Sequence, residues 1–294
     1  MRDTFILPLI FFLLLAGPAA AGTMRVHFID VGYGDSIFVE LPGGESLLID
    51  AGDRKSGAGE YLERLGVTAV GTAVITHPHA NHFGGFEDMA GRLSFRRFFI
   101  NGETAAGDAG YPELLETLRR SGTPVTAVKR GDVITGLPEE VTLHVLNPAA
   151  TSGQLNAEAL VLLLSYREIS FLLTADIAPQ QQEEVLALIP DPQKIACVQL
   201  PHHGGEVSPE FAAAFAGRVF IVSTGDNPYG LPNESAIERL DGEILRTDRD
   251  GTIILETDGE NLDVKNEQLL ATGVRLAGPH LLHAVYRQAD LQFP

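Results

Sequence analysis

Cysteine is nearly absent from this sequence: Cys197 is the only one. That excludes an intramolecular disulfide, so stability has to come from core size or from a bound metal. Cys197 lies in the apolar run KIACVQL and reads as a small core residue. Basic residues are also scarce, with 21 Lys and Arg against 39 Asp and Glu and a net charge of −18. Such an acidic surface repels phosphate backbones. It counts against high-affinity nucleic-acid binding unless local basic residues or metal ions override it. After residue 15 no apolar run is long enough to cross a bilayer. There is no low-complexity linker and no repeat with a period of about 20–50 residues, which excludes a solenoid. The 294 residues, 45% of them apolar, suffice for one large core or two small domains.

The N-terminal segment is what is there instead. After Met1-Arg2-Asp3 an apolar stretch runs from Phe5 to Leu15, followed by the small-residue segment Gly17-Pro18-Ala19-Ala20-Ala21 with an A-x-A end. This is the pattern of a secretory signal peptide cleaved after Ala21. An uncleaved anchor is the alternative, but the stretch is short for a span of about 20 residues. Cleavage removes one charge of each sign, Arg2 and Asp3, so the mature chain stays at −18. The expectation is an exported protein, periplasmic or secreted, with no stable membrane span.

Short, β-branched runs bounded by Gly, Pro, Asn or Asp read as strands at 24–30, 35–41, 46–50, 71–77, 95–100, 141–146, 159–166, 169–176, 194–200, 219–225 and 252–258. Helical patterns with acidic, Ser or Asn starts lie at 59–66, 111–122, 179–189, 208–217 and 233–242. Both halves of the chain share this texture. The pattern predicts an α/β sandwich in which two mixed sheets pack face to face and helices cover the outsides. The expected division is a signal segment 1–21, a body 22–263 and a tail 264–294, where the strand pattern fades.

The stretch AVITHPHANHFGGF, residues 73–86, crowds three histidines into six positions. His77 and His79 stand at i and i+2 at the end of an expected strand, which puts both imidazoles on one side. His82 follows, and Gly84-Gly85 is expected to open a helix. A third imidazole at such a corner can turn back toward the first two, and neutral imidazole is a common ligand for divalent transition metals. The isolated histidines His27, His144, His280 and His283 read as packing or surface residues.

THPHANH resembles the HxHxDH signature of the metallo-β-lactamase superfamily. VHFIDVGYGDSIFVELPGGESLLIDAG (26–52), NAEALVLLLSYREISFLLTADI (156–177), VQLPHHGG (198–205), STGDNPYGLPNESAIERL (223–240) and LRTDRDGTIIL (245–255) resemble, in the same order, motifs of the soluble hydrolase domain of ComEC-type competence proteins. The resemblance implies a four-layer αβ/βα sandwich with a metal site at one sheet edge, binding one or two divalent ions, Zn or Mn. It implies that His77 and His79 bind one metal, that His82 and His203 bind a second, and that Asp176 bridges both. His202 would then stand beside the substrate. Asp30 and Asp50 would shape turns under the site, Asp35 would bind the histidine loop, and Asp50 would accept an imidazole N–H and fix its tautomer.

The departures are specific. The family's aspartate between the histidines, which binds metal and takes a proton from water, is Asn81 here. An amide oxygen is a poorer ligand and no base at neutral pH, so proton removal would fall to Asp176 or to the metal alone. Asn156 lies where a further metal-binding histidine is expected, Leu231 replaces the late YGHP histidine, and Gly205 replaces a serine that Ser208 closely follows. Ser208, Tyr229 and His202 are the candidates for holding substrate or leaving group. The expected function is metal-activated hydrolysis of a phosphodiester, either a small one or single-stranded DNA as in DNA uptake, by an enzyme that is slow or selective because of Asn81. A metal-binding scaffold without turnover and a β-lactam or small-ester hydrolase are the alternatives. The sequence assigns no oligomeric state.

Overall fold

Period-two alternation leaves each strand with two faces to bury, and the chain solves this with two stacked sheets. The computed structural model describes residues 22–103, 109–151 and 153–266. The expected signal segment 1–21 and residues 267–294 of the expected tail lie outside the described residues. The first sheet has eight strands in the order β16 (Leu262–Asn266), β15 (Ile253–Thr257), β1 (Met24–Phe28), β2 (Ile37–Glu40), β3 (Ser46–Ile49), β5 (Thr72–Ile75), β7 (Phe98–Ile100) and β8 (Val125–Ala127). It is antiparallel from β16 to β3 and parallel from β3 to β8. The second has six, in the order β14 (Gly242–Arg246), β13 (Arg218–Val222), β12 (Ile195–Gln199), β11 (Ile169–Leu173), β10 (Val161–Tyr166) and β9 (Val141–Asn147). It is parallel from β14 to β11 and antiparallel from β11 to β9. A small parallel pair, β4 (Ala69–Val70) and β6 (Ser94–Phe95), stands apart.

Alternate residues decide which layer is which. Met24, Val26 and Phe28 of β1, and Ile37 and Val39 of β2, point into the space between the sheets. They meet Leu143, Val145, Leu162, Leu164, Phe171 and Cys197 from the other sheet. The intervening Phe38, with Leu48, Ala73, Ile75 and Phe98, faces outward under α1 (Ala58–Arg64), α2 (Ala80–Met89) and α3 (Gly110–Arg120). Leu163, Leu172, Val198 and Phe220 face the opposite outside under α4 (Pro179–Leu186), α5 (Pro209–Ala214) and α6 (Glu234–Ile237). The result is the expected four-layer αβ/βα sandwich, with Cys197 in its central core, where burial pushes the thiol up.

Every expected strand and helix has a counterpart, and the differences lie at edges. β4, β6 and β8 are two or three residues long and show too little alternation to read. Residues 233–242 read as one helix; only Glu234–Ile237 is helical, and Gly242 opens edge strand β14. β16 crosses the expected body–tail boundary: it pairs with β15 from Leu262↔Thr257 to Asn266↔Ile253. Helix α2 starts at Ala80 rather than at Gly84, so Asn81 and His82 lie inside its first turn.

The paired glycines have another use. A Cβ on Gly85 would lie 2.0 Å from the Ala51 carbonyl oxygen, and one on Gly84 would lie 2.6 Å from the Arg54 backbone nitrogen. Glycine there lets α2 lie directly against the loop after β3. Gly85→Ala is therefore expected to cost about 3 kcal/mol, the upper end for overpacking, read as a lower urea midpoint with an unchanged slope.

Candidate metal centre

The C-terminal ends of four strands and the start of a fifth meet at one edge of the sandwich. Thr76 and His77 leave β5, and His79 is the residue before α2. Asp176 follows β11, and Pro201–His203 form a tight turn after β12. Asp50 follows β3, and Asp35 precedes β2. Asp50, Ala175, His202 and His203 all have left-handed backbones, with φ between 47° and 55°. Non-glycine residues rarely take this conformation, and it costs about 1–2 kcal/mol each. Four such residues at one edge turn the chain sharply where side chains have to converge. The loops are cross-linked by backbone bonds: Asp35 N–H donates to the Asn81 carbonyl at 3.2 Å, Ala51 N–H to the His82 carbonyl at 2.7 Å, and Gly52 N–H to the Asp35 carbonyl at 2.7 Å.

Asp176 is the centre of the cluster. Its Oδ2 lies 3.6 Å from His77 Nε2 and 3.9 Å from His202 Nε2, and its Oδ1 lies 3.3 Å from His82 Nε2 and 3.4 Å from His203 Nε2. His77, His79 and Asp176 form one set of ligand atoms all within 4.8 Å of one another, and His82, Asp176 and His203 form another. Both sets share Asp176. Behind them, Asp50 accepts from Thr76 N–H at 2.8 Å, Thr76 Oγ1–H at 2.6 Å and His82 Nδ1–H at 2.8 Å. His82 therefore carries its proton on Nδ1 and turns Nε2 toward Asp176. A third set, Asp35, Asp50 and His82, is equally close, but both Asp50 oxygens are already engaged, so Asp50 acts there as support.

The site favours positive charge. Burial works against a charge on Asp176, but the His203 and His82 imidazoles outweigh it and hold the carboxyl well below the usual carboxylate range. Burial likewise opposes charge on His82, yet Asp176 and Asp50 hold it well above the ordinary histidine value. Burial, and then the charge on His82, push His77 well below its usual value, and His79 moves the same way. Asp35 is raised by burial, partly offset by His203 and His82. Three buried atoms, His82 Nε2, Asp176 Oδ1 and Asp35 Oδ1, have no hydrogen-bond partner. Buried imidazole and carboxylate atoms left unpaired at one point, in a field that attracts cations, fit a divalent metal ion.

A cleft of about 870 Å³ opens above this cluster, lined among others by His79, Asn81, Asn156, Asp176, His202, Tyr33 and Tyr229. The structure thus brings together His77, His79, Asn81, His82, Asp176, His202 and His203. Asp35 and Asp50 lie directly behind them. Two expected residues lie elsewhere. Asp30 is exposed and shapes the expected turn by accepting from Gly32 N–H at 3.2 Å, but it is not among the clustered side chains. Ser208 is buried as the cap of α5: its Oγ accepts from Phe211 N–H at 3.2 Å, and its own N–H donates to Gln182. It has no face toward the cleft, because the helix start needs its oxygen. Asn156 is not among the clustered ligands; it lies beside His202 with Nδ2 3.4 Å from Nε2.

Tyr33 was missed by the sequence reading. Its ring centroid lies 4.5 Å from that of His203 and 5.4 Å from that of Tyr229, so the two tyrosines form one wall of the cleft. The signal was an aromatic residue between two glycines, Gly32 and Gly34, in a loop. Tyr229 is 69% exposed and is held out by Asn227, whose Oδ1 accepts from the N–H groups of Tyr229 and Leu231.

Residues 29–188 match the family model described as the metallo-beta-lactamase superfamily. Over 270 residues the chain is 28% identical to ComE operon protein 3 of Bacillus subtilis (strain 168), covering 83% of this chain and 34% of that protein. It therefore spans about a third of the length of that curated relative. Among solved structures it is similar to unliganded yeast PDE1, at 10% identity and a TM-score of 0.49, covering 76% of this chain and 97% of that one. It is also similar to CmlA, a diiron beta-hydroxylase from Streptomyces venezuelae, at 15% identity and a TM-score of 0.48, covering 76% and 53%. With more than half of its length matched by the family model, and with the fold and clustered imidazoles described above, the chain belongs to the metallo-beta-lactamase superfamily.

Proposed function

We propose that this chain is an exported, metal-dependent hydrolase of singly charged phosphodiesters, using zinc or manganese. The observation that carries the reading is the convergence of His77, His79, His82 and His203 on the buried Asp176 at the floor of an open cleft. A divalent cation held there supplies Lewis acidity and lowers the pKa of water toward neutral. The chain's own groups do the rest. Asp176, held ionised well below the usual carboxylate range, serves as ligand and as acceptor that orients the water, and with Asn81 offering no base the loss of the water proton would fall chiefly to the cation's own acidity. Asp50, through Thr76 and His82, keeps the imidazoles from turning away. His202, whose side chain is 39% exposed at the cleft edge, faces the leaving group.

The lining of the cleft narrows the substrate. Among the described residues it contains Asp53, Glu206 and Asp176 and no Lys or Arg. Nothing there draws in a long polyanion, so a small phosphodiester or the end of a single strand fits better than duplex DNA. The Tyr33–Tyr229 wall offers an aromatic face for a base, a sequence-tolerant contact. Export rests on the composition of residues 1–21. Among the described residues no helix is long and apolar enough to cross a membrane. A competence-related role is supported by the similarity to a ComE operon protein. One observation favours a metal-binding module without turnover: an amide, Asn81, occupies a position among the clustered side chains where a carboxylate would serve as ligand and base.

Chelator-stripped protein is expected to hydrolyse bis(p-nitrophenyl) phosphate and single-stranded DNA only after Mn²⁺ or Zn²⁺ is restored. The His77→Ala/His79→Ala variant should lose about a hundredfold or more. Cation binding without turnover of either substrate would leave the scaffold reading in place. Tyr229→Ala should raise KM for an oligothymidylate about fivefold or more, as expected for loss of one stacked base, with kcat nearly unchanged. Affinity for that oligonucleotide should change by less than about twofold between 50 and 200 mM salt, unlike a protein that neutralises many phosphates.

A further inference from the structure

The two ligand sets are not equivalent, and the reason is a hydrogen bond. We propose that the Asn81 amide caps the metal-binding nitrogen of His203, so that the centre takes one cation tightly at His77, His79 and Asp176 and leaves the His82, Asp176 and His203 position weak. The inference rests on the metal-binding part of the reading above and adds the order and strength of filling.

The tautomers decide it. His203 Nδ1 lies 3.0 Å from the Ser223 carbonyl oxygen, which can only accept, so Nδ1 carries the proton. Nε2 is then the ring's single lone-pair nitrogen and its one atom for a cation. Asn81 Nδ2 lies 3.0 Å from that atom. Were the amide turned the other way, its oxygen would face a lone pair. The network therefore sets the orientation, with the amide N–H donating to Nε2. A carboxamide nitrogen has no proton to lose at neutral pH. A cation entering this position has to break the bond and turn the amide, and in exchange it gains only a neutral oxygen.

The other set has a way out. Thr76 Oγ1 donates to Asp50, so it accepts from His77 Nδ1–H at 3.0 Å, and His77 Nε2 is a lone pair. That lone pair meets His79 Nδ1 at 2.8 Å. His79 is only half-buried and lines the cleft, so its proton can sit on Nε2 instead. Both nitrogens then present lone pairs to one point beside Asp176 Oδ2. An imidazole can exchange tautomers in this way and an amide cannot. Charge works in the same direction. Asp176 is the one carboxylate common to both sets, and Asp50 is committed to Thr76 and His82.

The test is metal stoichiometry on the chelator-stripped full chain, titrated calorimetrically with Mn²⁺ or Zn²⁺ and checked by elemental analysis. The wild type should hold one equivalent tightly, with any second at least about tenfold weaker. Asn81→Asp should bind two equivalents, the second tightened about tenfold or more, with a spin-coupled manganese pair replacing the isolated-ion paramagnetic resonance signal. Asn81→Ala, which removes the cap without adding charge, should tighten the second equivalent by a smaller factor, and it carries the test should the Asp variant fail to fold. His203→Ala should leave the first equivalent in place. Two equally tight equivalents in the wild type, or a single one in both Asn81 variants, would overturn the proposal. Binding of no cation at all would instead sink the metal-dependent reading on which it rests.

Discussion

The buried carboxylate of Asp50 is the contact on which the rest of the site depends. It sits at the end of β3, accepts two bonds from Thr76 at the end of β5, and accepts a third from His82 on α2. A carboxylate out of water is costly unless it is fully paired. Three short bonds to donors on two other segments offset that cost and tie strand, strand and helix into one corner. They also set two tautomers: His82 directly, and His77 through the Thr76 hydroxyl. Without Asp50 the imidazoles would keep their places in the chain but lose their defined faces.

Rigidity at this edge is distributed. The left-handed residues Asp50, Ala175, His202 and His203 store strain that only a well-packed surrounding can hold. Three packed apolar layers do that: one between the sheets and one under each set of helices. Glycine removes the last obstacle. A Cβ on Gly34 would lie 2.3 Å from the Asn81 carbonyl oxygen, so the Tyr33–Asp35 loop can approach α2 only because that side chain is missing. The same loop brings Tyr33 against His203 and Asp35 behind it. Scaffold and cleft wall are thus products of one close approach.

The overall charge pattern is acidic. The chain carries −18, and its cleft is lined with acids. Groups able to hold a cation collect around one buried point, where Asp176 is held ionised among His77, His79, His82 and His203. Such a pattern gives little long-range attraction to a phosphate backbone.

Much of this was legible in the sequence because it is local. Alternation at Met24, Val26 and Phe28 identifies a sheet face, and the spacing of His77 and His79 puts two imidazoles on one side whatever surrounds them. The motifs around Asp176 and His203 pointed to the same corner by resemblance. Helix α2 began earlier than expected because the chain turns immediately after His79, under the bonds that tie the His82 and Asn81 carbonyls to the loops after β3 and before β2. Ser208 was misassigned because a helix cap and a substrate hydroxyl look alike in one dimension. Tyr33 went unnoticed because its role exists only where two distant loops meet. By itself the sequence determined the layers, the strand ends and the supply of imidazoles and carboxylates, since these follow from periodicity and residue chemistry. Only the tertiary structure decided which nitrogen of each ring is free. That depends on partners such as Asn81 and His203, 122 positions apart, and a hydrogen bond takes its direction from the atoms on both sides of it.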